Sequence, residues 1–503
     1  MPEVYHLSQP LSSPFEDTLE AVNALVLVLS ARVVRGASLD DLEAIIQEEG
    51  RKVLRAAMQN ALDLGASREV ASDGVIGADG VVRSHHRRVG LAHRTLFGNV
   101  VVQGIAYSGR GSSRLMPRTA RLHMNPGMYS AALRQRVCRK VVDSSFDAAV
   151  EEVERETTAA VPKRQAEEVV RDAASDFDAF YDQRVGLAPA PGNVLVLSMD
   201  GKGVVMTPSG LRDATRARAV AAQGQSRRHL GGGEKTDRKR MAEVAAVYDI
   251  APDFRSVDEL MAGGTSKRKR PKPNNKRVWA SLSHSLAVVV DQAFAEAAKR
   301  DPDREHVWVV LVDGNRDQLR AIRAASAKYG VKPHITLDIV HVIEYLWEAS
   351  RALHGDTGKA GEAWVEKCLR CVLEGRTSQV AASLRGMARS TKRTTSVRTK
   401  LGKVARYLGK YREFMTYTAN LKAGLPIATG VIEGACRHLI ADRMDRTGAR
   451  WGLGTAEGVL RLRALRSSGD WDAYWRYHAS CELLRNHLVY YDDHELADLR
   501  IAA

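Results

Sequence analysis

An α/β core interrupted by an all-helical insertion, behind a mainly helical N-terminal region, is the fold class this sequence predicts. Three observations predict it. Near-continuous apolar runs, VLVLSMDGKGV, VWVVLVDGNRD and HITLDIVHVIEYLW, read as buried strands that reach Asp200, Asp313 and Asp338 at their ends. Helical patterns separate the later runs. A wholly helical stretch over residues 345–421 then parts Asp338 from a fourth acid, Glu433 in ATGVIEGACRHL. An aspartate at a strand end projects from a rigid scaffold, beside the loops that usually carry chemistry.

Bulk properties narrow the class. The 503 residues are too many for one core and predict roughly three or four domains. With 44% hydrophobic and 27% charged residues the chain reads as globular, neither disordered nor membrane-like. A formal net charge of +15 and a pI near 9.6 exceed what solubility alone asks for. They favour a polyanionic partner, nucleic acid above all. The five cysteines (Cys138, Cys368, Cys371, Cys436 and Cys481) are too few and too scattered for a disulfide framework, and suit a reducing cytosol. MPEVYHLSQPLSSPFEDTLE lacks the basic stretch and apolar run of a signal peptide. Residues 25–34 are too short to span a bilayer, so a soluble intracellular protein is expected.

Residues 14–65 read as two amphipathic helices, the second opening at Ser38 with an acidic first turn of Asp40, Asp41 and Glu43. RTLFGNVVVQGIAYSG alternates as a β-hairpin around Gly98 and Asn99. Its approach, RSHHRRVGLAHR, is strongly basic. Adjacent His85 and His86 with no cysteine near do not make a zinc site, so a solvated or phosphate-facing edge is expected. Residues 128–184 read as three helices, jointed at 143–145 and at Pro162. That proline suits a first helical turn and is followed by Lys163 and Arg164. The three make either a helix-turn-helix with its third helix in a DNA groove or a plain helical bundle.

After LAPAPGN a strand over 194–199 ends at Asp200, and MAEVAAVYDI supplies another β segment. The block Lys267, Arg268, Lys269 and Arg270 is either a solvated loop or a phosphate contact. A helix is expected over 278–299, a strand over 307–312, a helix over 317–329 and a strand over 334–337. Past the helical stretch, Pro426 restarts the chain into the helix bearing Glu433. No repeat of solenoid period is present.

This order of strand with Asp200, β-meander, helix, strand with Asp313, helix, strand and late helix is that of a ribonuclease-H-like core. In such a sheet the first strand is central and the fourth pairs beside it. A strand spacing of ~4.8 Å lets Asp200 and Asp313 share a cation, while Asp338 lies one strand further out in a supporting place. Two hard cations held about 4 Å apart activate a water or sugar hydroxyl and stabilise a leaving 3′ oxygen. All-oxygen ligands suit Mg²⁺. Taken singly, each Asp-Gly pair also reads as a turn. Asp338 with His341 reads in two ways: a helix N-cap with a packed histidine, or a hydrogen-bonded pair that steadies a metal site. Three lookalikes drop out. GGGEKT lacks the residue order of a phosphate loop. The CxxC of Cys368 and Cys371 has no second pair for zinc, and no G-x-S-x-G elbow adjoins the strands.

The stretches RTLFGNVVV, DFDAFY, SMDGKGV, LVDGNRDQL, LDIVHVIEYLW and ATGVIEGACRHLIADRMDRTGARWGL, with the YS…SSF helical segment, carry a family resemblance. In this order they resemble the DDE transposases of bacterial insertion sequences, specifically the ISKra-type group, related to Mutator-like and hAT-like transposases. The resemblance spans most of the chain. It implies that Asp200, Asp313 and Glu433 form a catalytic, metal-binding triad for Mg²⁺, with Mn²⁺ able to substitute. It implies that Asp338 and His341 match a supporting D-x-x-H signature, and that an all-helical insertion separates the second Asp from the Glu. The implied reaction is cleavage at the element's ends, then attack of the freed 3′-OH on target DNA. The implied partners are terminal inverted repeats, target DNA and at least a second copy of the chain, in the bacterial cytoplasm at the nucleoid and without a membrane. Arg437, His438 and Arg443 are candidate phosphate contacts, with a Glu433–Arg437 ion pair as the alternative. Trp347 and Trp451 are candidates for stacking on an unpaired base, or for core packing.

The expected domains are 1–125, N-terminal helices and β-hairpin for DNA binding and assembly; 126–187, a helical DNA-binding domain; and 188–345, the first part of the core. An insertion over 346–425, the last part of the core over 426–465 and a helical tail over 466–503 complete the chain. Two rival readings remain: a structure-selective nuclease of the same fold without strand transfer, and a domesticated non-catalytic DNA-binding protein. Acids intact at all three positions argue against the latter.

Overall fold

Ser38 opens a helix, as its acidic first turn predicts. In the computed structural model, which describes residues 14–221, 238–262, 270–355, 358–391, 393–446, 448–494, 496 and 500–501, Ser38 and Asp41 form a capping box. Each side chain accepts the other's backbone N–H. Helices α1 (Glu16–Val34) and α2 (Leu39–Ser67) pack on one another. Strands β1 (His85–Thr95) and β2 (Gly98–Ser108) form an antiparallel hairpin. Its turn is Leu96 and Phe97, two residues earlier than expected, because Gly98 at φ +112° takes the closing position opposite Thr95. The basic approach is therefore paired strand with a largely exposed first half. Helices α3 (Ala131–Val141) and α4 (Phe146–Thr157) are capped by the hydroxyls of Ser130 and Ser145, and Pro162 precedes α5 (Lys163–Ala173). The third expected helix breaks after Ala173 and resumes as a short one, Phe177–Gln183. The chain divides into two units: Met1–Phe180 with Asp472–Ala503, and Tyr181–Trp471.

The second unit is built on a mixed sheet in a structure that is 57% helical. Strands β3 (Val194–Val205), β4 (Lys239–Ile250), β5 (Asn274–Ser281), β6 (Trp308–Val312) and β7 (His334–Leu337) lie in the order β7-β6-β3-β4-β5. β3, β4 and β5 form an antiparallel meander, whereas β6 runs parallel to β3 and β7 parallel to β6. The first strand of this unit is thus central and the fourth lies beside it, as expected.

Two expectations are corrected here. β3 does not end at Asp200 but continues to Val205, because β4 pairs with it along its whole length. The expected helix over 278–299 is two elements: β5 takes Val278, Trp279 and Ala280, and Ser285 then caps α6 (Leu286–Arg300). Edge strand β5 is not left open. The Val278 N–H donates to the Ser468 hydroxyl at 3.0 Å, and Glu457 accepts from the Ser281 hydroxyl and the Leu282 N–H, both at 2.7 Å.

Helix α7 (Arg316–Lys328) links β6 to β7. Four long helices follow, α8 (Ile339–His354), α9 (Lys359–Leu373), α10 (Thr377–Arg389) and α11 (Thr395–Lys410), and then a short one, Tyr417–Lys422. No strand interrupts them among the described residues, as the sequence predicts. The chain then returns as α12 (Gly430–Ala435), continued by one π-helical stretch, Cys436–Ala441. Helices α13 (Leu453–Ser468) and α14 (Trp471–Asn486) follow. Among the described residues no helix is long and apolar enough to cross a membrane.

Candidate functional site

Strand alternation decides which side chains can meet. In β3, Val194, Val196, Ser198 and Asp200 share one face. The pairings Val196↔Val309 and Ser198↔Leu311 set Asp313, two residues past Leu311, level with Asp200. The pairing Leu337↔Val312 sets Asp338 level with Asp313 in the same way. Three aspartates therefore fall at one level across three neighbouring strands or their direct continuations. The apolar residues of that face, Val194, Val196, Val309 and Leu311, form a core cluster with Tyr248 and Leu425, and Val431 packs against it. Val431 precedes Glu433 by two residues, so burial of Leu425 and Val431 brings the turn bearing Glu433 to the face of the acids. The opposite face belongs to α6, whose Phe294 ring lies 6.0 Å from that of Trp308.

Each acid is held differently. Asp200 Oδ1 accepts its neighbour Gly201 N–H at 2.7 Å, and Oδ2 accepts the Cys436 thiol at 3.2 Å. Asp313 Oδ1 accepts the Asn315 N–H at 2.8 Å, while its carbonyl accepts the Tyr407 hydroxyl at 3.1 Å. Gly314 makes that turn possible: its φ is +94°, and a Cβ there would stand 3.1 Å from the Tyr411 ring. Asp338 is 1% exposed and caps α8, accepting the Val340 N–H at 2.8 Å. Its second oxygen accepts the hydroxyl of Thr429, a residue 91 positions away. Beside it the Ile339 N–H donates to the Ile427 carbonyl at 3.0 Å. The chain returning from the helical insertion is thus tied to the end of β7.

The electrostatics join three of the four acids. Burial pushes the Glu433 carboxyl above its usual range; Asp338 pushes the same way, His341 opposes, and Glu344 and Asp200 add smaller pushes upward. Burial also raises Asp338, against the hydrogen bonds from Thr429 and Val340 and the charge of His341. His341 Nδ1 lies 3.3 Å from Glu344, so its hydrogen bond goes along its own helix and not to Asp338. Of the two readings of Asp338, the N-cap is realised directly.

The remaining candidates are scattered. Arg437 is 82% exposed on its side chain and sits 3.7 Å from Asp442, not paired with Glu433. His438 is half-buried, and burial with the nearby Lys276 lowers its pKa. Arg443 is buried over the Trp451 ring, 4.8 Å from its centre, and burial lowers its guanidinium to about 10. Trp451 is 6% exposed and donates to the Met444 carbonyl at 3.1 Å, which is core packing. Trp347 is half-buried on α8, and Arg270 is exposed. Lys163, paired with Asp147 at 2.7 Å, and the exposed Arg164 belong to the other unit. Lys267, Arg268 and Lys269 lie outside the described residues.

Sequence reasoning missed Cys436, Thr429 and Glu243. Cys436 carried a usable signal, one turn after Glu433. Glu243 lies opposite Gly201 on β4, where burial raises its pKa, Arg212 lowers it and Asp200 raises it. An acid set inside the apolar MAEVAAVYDI, ahead of Asp249 near its end, was the hint. Among the described residues, no group of three or more His, Cys, Asp or Glu side chains is arranged to hold a metal ion. The donor chemistry nevertheless suits a hard divalent cation. Carboxylates dominate, and burial raises the Cys436 thiol so that it stays protonated and does not compete as a thiolate. No family model matches this chain, and no curated protein matches it.

Proposed function

We propose that the five-stranded sheet is a ribonuclease-H-like core, and that the protein is a DDE-class DNA transposase of an insertion sequence. It cleaves DNA at the element's ends and joins the 3′-OH to target DNA. The observation that carries this reading is the common level of Asp200, Asp313 and Asp338 on the face that the Glu433 turn covers. Mg²⁺ bound there, or Mn²⁺ in its stead, supplies positive charge for a leaving 3′ oxygen and lowers the pKa of an attacking water or hydroxyl.

Asp200 and Asp313 would hold the cation from the sheet and Glu433 from α12. Little among the described residues opposes their turning towards it: Asp200 Oδ2 accepts from a thiol, a weak donor, and Asp313 Oδ1 from one backbone N–H. Burial and the neighbouring acids hold the Glu433 carboxyl above its usual range, and a cation there would pull it back down. Asp338 keeps a supporting place. It fixes α8 and residues 427–429 at the end of β7, and through them the position of Glu433. The net charge of +15 suits a DNA partner.

The test is to incubate the full chain with DNA carrying its own flanking terminal repeats, with and without Mg²⁺. The expected result is metal-dependent nicking at the repeat boundary and integration of a pre-cleaved end. No such nicking overturns the reading, and nicking without integration moves it to a nuclease.

A further inference from the structure

Helix α1 buries none of its residues, although it is rich in valine and leucine. Leu19, Val22, Val26 and Val33 are 44%, 37%, 53% and 58% exposed. With half-buried Leu29 they recur at spacings of three and four, the a/d stripe of a coiled coil. Helix α2 does not take this stripe. It takes the neighbouring face, where Thr18 bonds Asn60 and where Ala21 and Leu25 are half-buried. An apolar stripe left in water forgoes the gain of burying its large side chains, so a partner is expected.

We propose that the partner is α1 of a second copy of this chain, lying antiparallel about a two-fold axis at Val26. The charges select this arrangement. Glu16, Asp17 and Glu20 begin the helix, and Arg32 and Arg35 end it. Antiparallel docking sets each acidic start beside the other copy's basic end and opposes the helix dipoles favourably. It brings Leu19 of one copy opposite Val33 of the other, and Val26 opposite its own mate. Parallel docking sets like charge on like. Arg32 also acts on Asp41 within its own chain, helping to lower that carboxyl's pKa. A 19-residue helix is about 28 Å long. A contact of that length and roughly 20 Å width covers on the order of 1,000 Å² over both copies, the lower range for a specific interface. This surface requires no catalytic activity and does not depend on the strand-joining reading.

The test is analytical ultracentrifugation of the full chain without DNA. Wild type is expected to be dimeric at about 10 µM. Val26→Asp sets two carboxylates face to face across the axis and should weaken association at least about a hundredfold. Leu27→Asp, at a position 71% exposed but turned away from the stripe, should leave the dimer intact. Both positions are exposed, so an unchanged circular dichroism spectrum checks that the variants fold. A monomeric wild type, or a dimer undiminished by Val26→Asp, overturns the proposal. Direction is read by mild oxidation and peptide mapping. Leu19→Cys chains mixed with Val33→Cys chains should form the mixed disulfide, whereas Leu19→Cys chains linking only to themselves overturn the antiparallel arrangement.

Discussion

Replacing Thr429 by valine removes one hydroxyl and almost no volume, at the point where the returning chain meets the end of β7. Thr429 is 4% exposed and Asp338 is 1% exposed, so water cannot take the place of the lost donor. Hydrogen bonds to charged groups contribute about 1.5–3 kcal/mol. In a domain of this size each kcal/mol moves the midpoint by about 2–4 °C, so Thr429→Val should unfold roughly 3–12 °C earlier. The loss should also depend on pH. Asp338 already titrates above the usual carboxylate range because it is buried, and the Thr429 bond pulls against that burial. Removing the bond raises its pKa further. A group with a raised folded pKa contributes fully below its unfolded value and loses that contribution as pH rises through the folded one. The deficit of Thr429→Val should therefore widen with rising pH and then level off. Calorimetry at about pH 5 and about pH 8 reads both effects, with Thr429→Ser as the variant that restores the donor. Midpoints within about 1 °C of wild type at both pH values would refute the idea that this bond anchors the returning chain.

Asp200→Asn and Asp313→Asn should each lower strand cleavage about a thousandfold or more, roughly 4 kcal/mol of transition-state stabilisation, while keeping the fold. Asp338→Ala should cost activity less completely than Asp313→Ala but lower the thermal midpoint more; the reverse order in both assays would exchange their roles. Mg²⁺ or Mn²⁺ at about a hundred times its Kd should stabilise the wild type by about 2.7 kcal/mol. In Asp200→Asn that gain, followed by calorimetry, should vanish; an undiminished gain would put the cation elsewhere. In the first unit, burial raises the Asp176 carboxyl, but hydrogen bonds from His478 and Arg485 hold it at about 2, below its ordinary 3.8. A depressed pKa stabilises above the unfolded value and loses that effect as pH falls through the folded one. Acid unfolding of Asp176→Asn should therefore lack the wild-type slope between about pH 4 and pH 2, as circular dichroism can show.

The levels of Asp200 and Asp313 were legible because central strands buried on both faces are written as near-continuous apolar runs, and each run reaches its aspartate; Asp338 follows the shorter, mixed HITL, buried only in its second half. The length of β3 was not legible from that rule. Past Asp200 the strand pairs with β4, with the Trp451 N–H donating to the Val205 carbonyl at its end, and GKGVV carries no apolar run to announce it. β5 was mistaken for the start of α6 because a three-residue apolar run, Val278 to Ala280, fits either period. Ser285, a capping residue in plain view, marks the true start of the helix.

What no local pattern contains is the closure of the site. Glu433 reaches the sheet through Leu425 and Val431 packed on the β3–β6 face, through Thr429 on Asp338, and through Cys436 on Asp200. Those ties join residues 91 and 236 positions apart. An apolar residue near Glu433 predicts burial, but not against which strand. The same limit applies to α1. Its a/d stripe is written in the sequence, yet only the structure shows that α2 occupies the adjacent face and leaves the stripe uncovered. Periodicity reports that a surface needs a partner; the fold decides whether the chain itself supplies one. At Glu433 the chain supplies it through the returning helix. At α1 it does not, and a second copy offers the complementary charges.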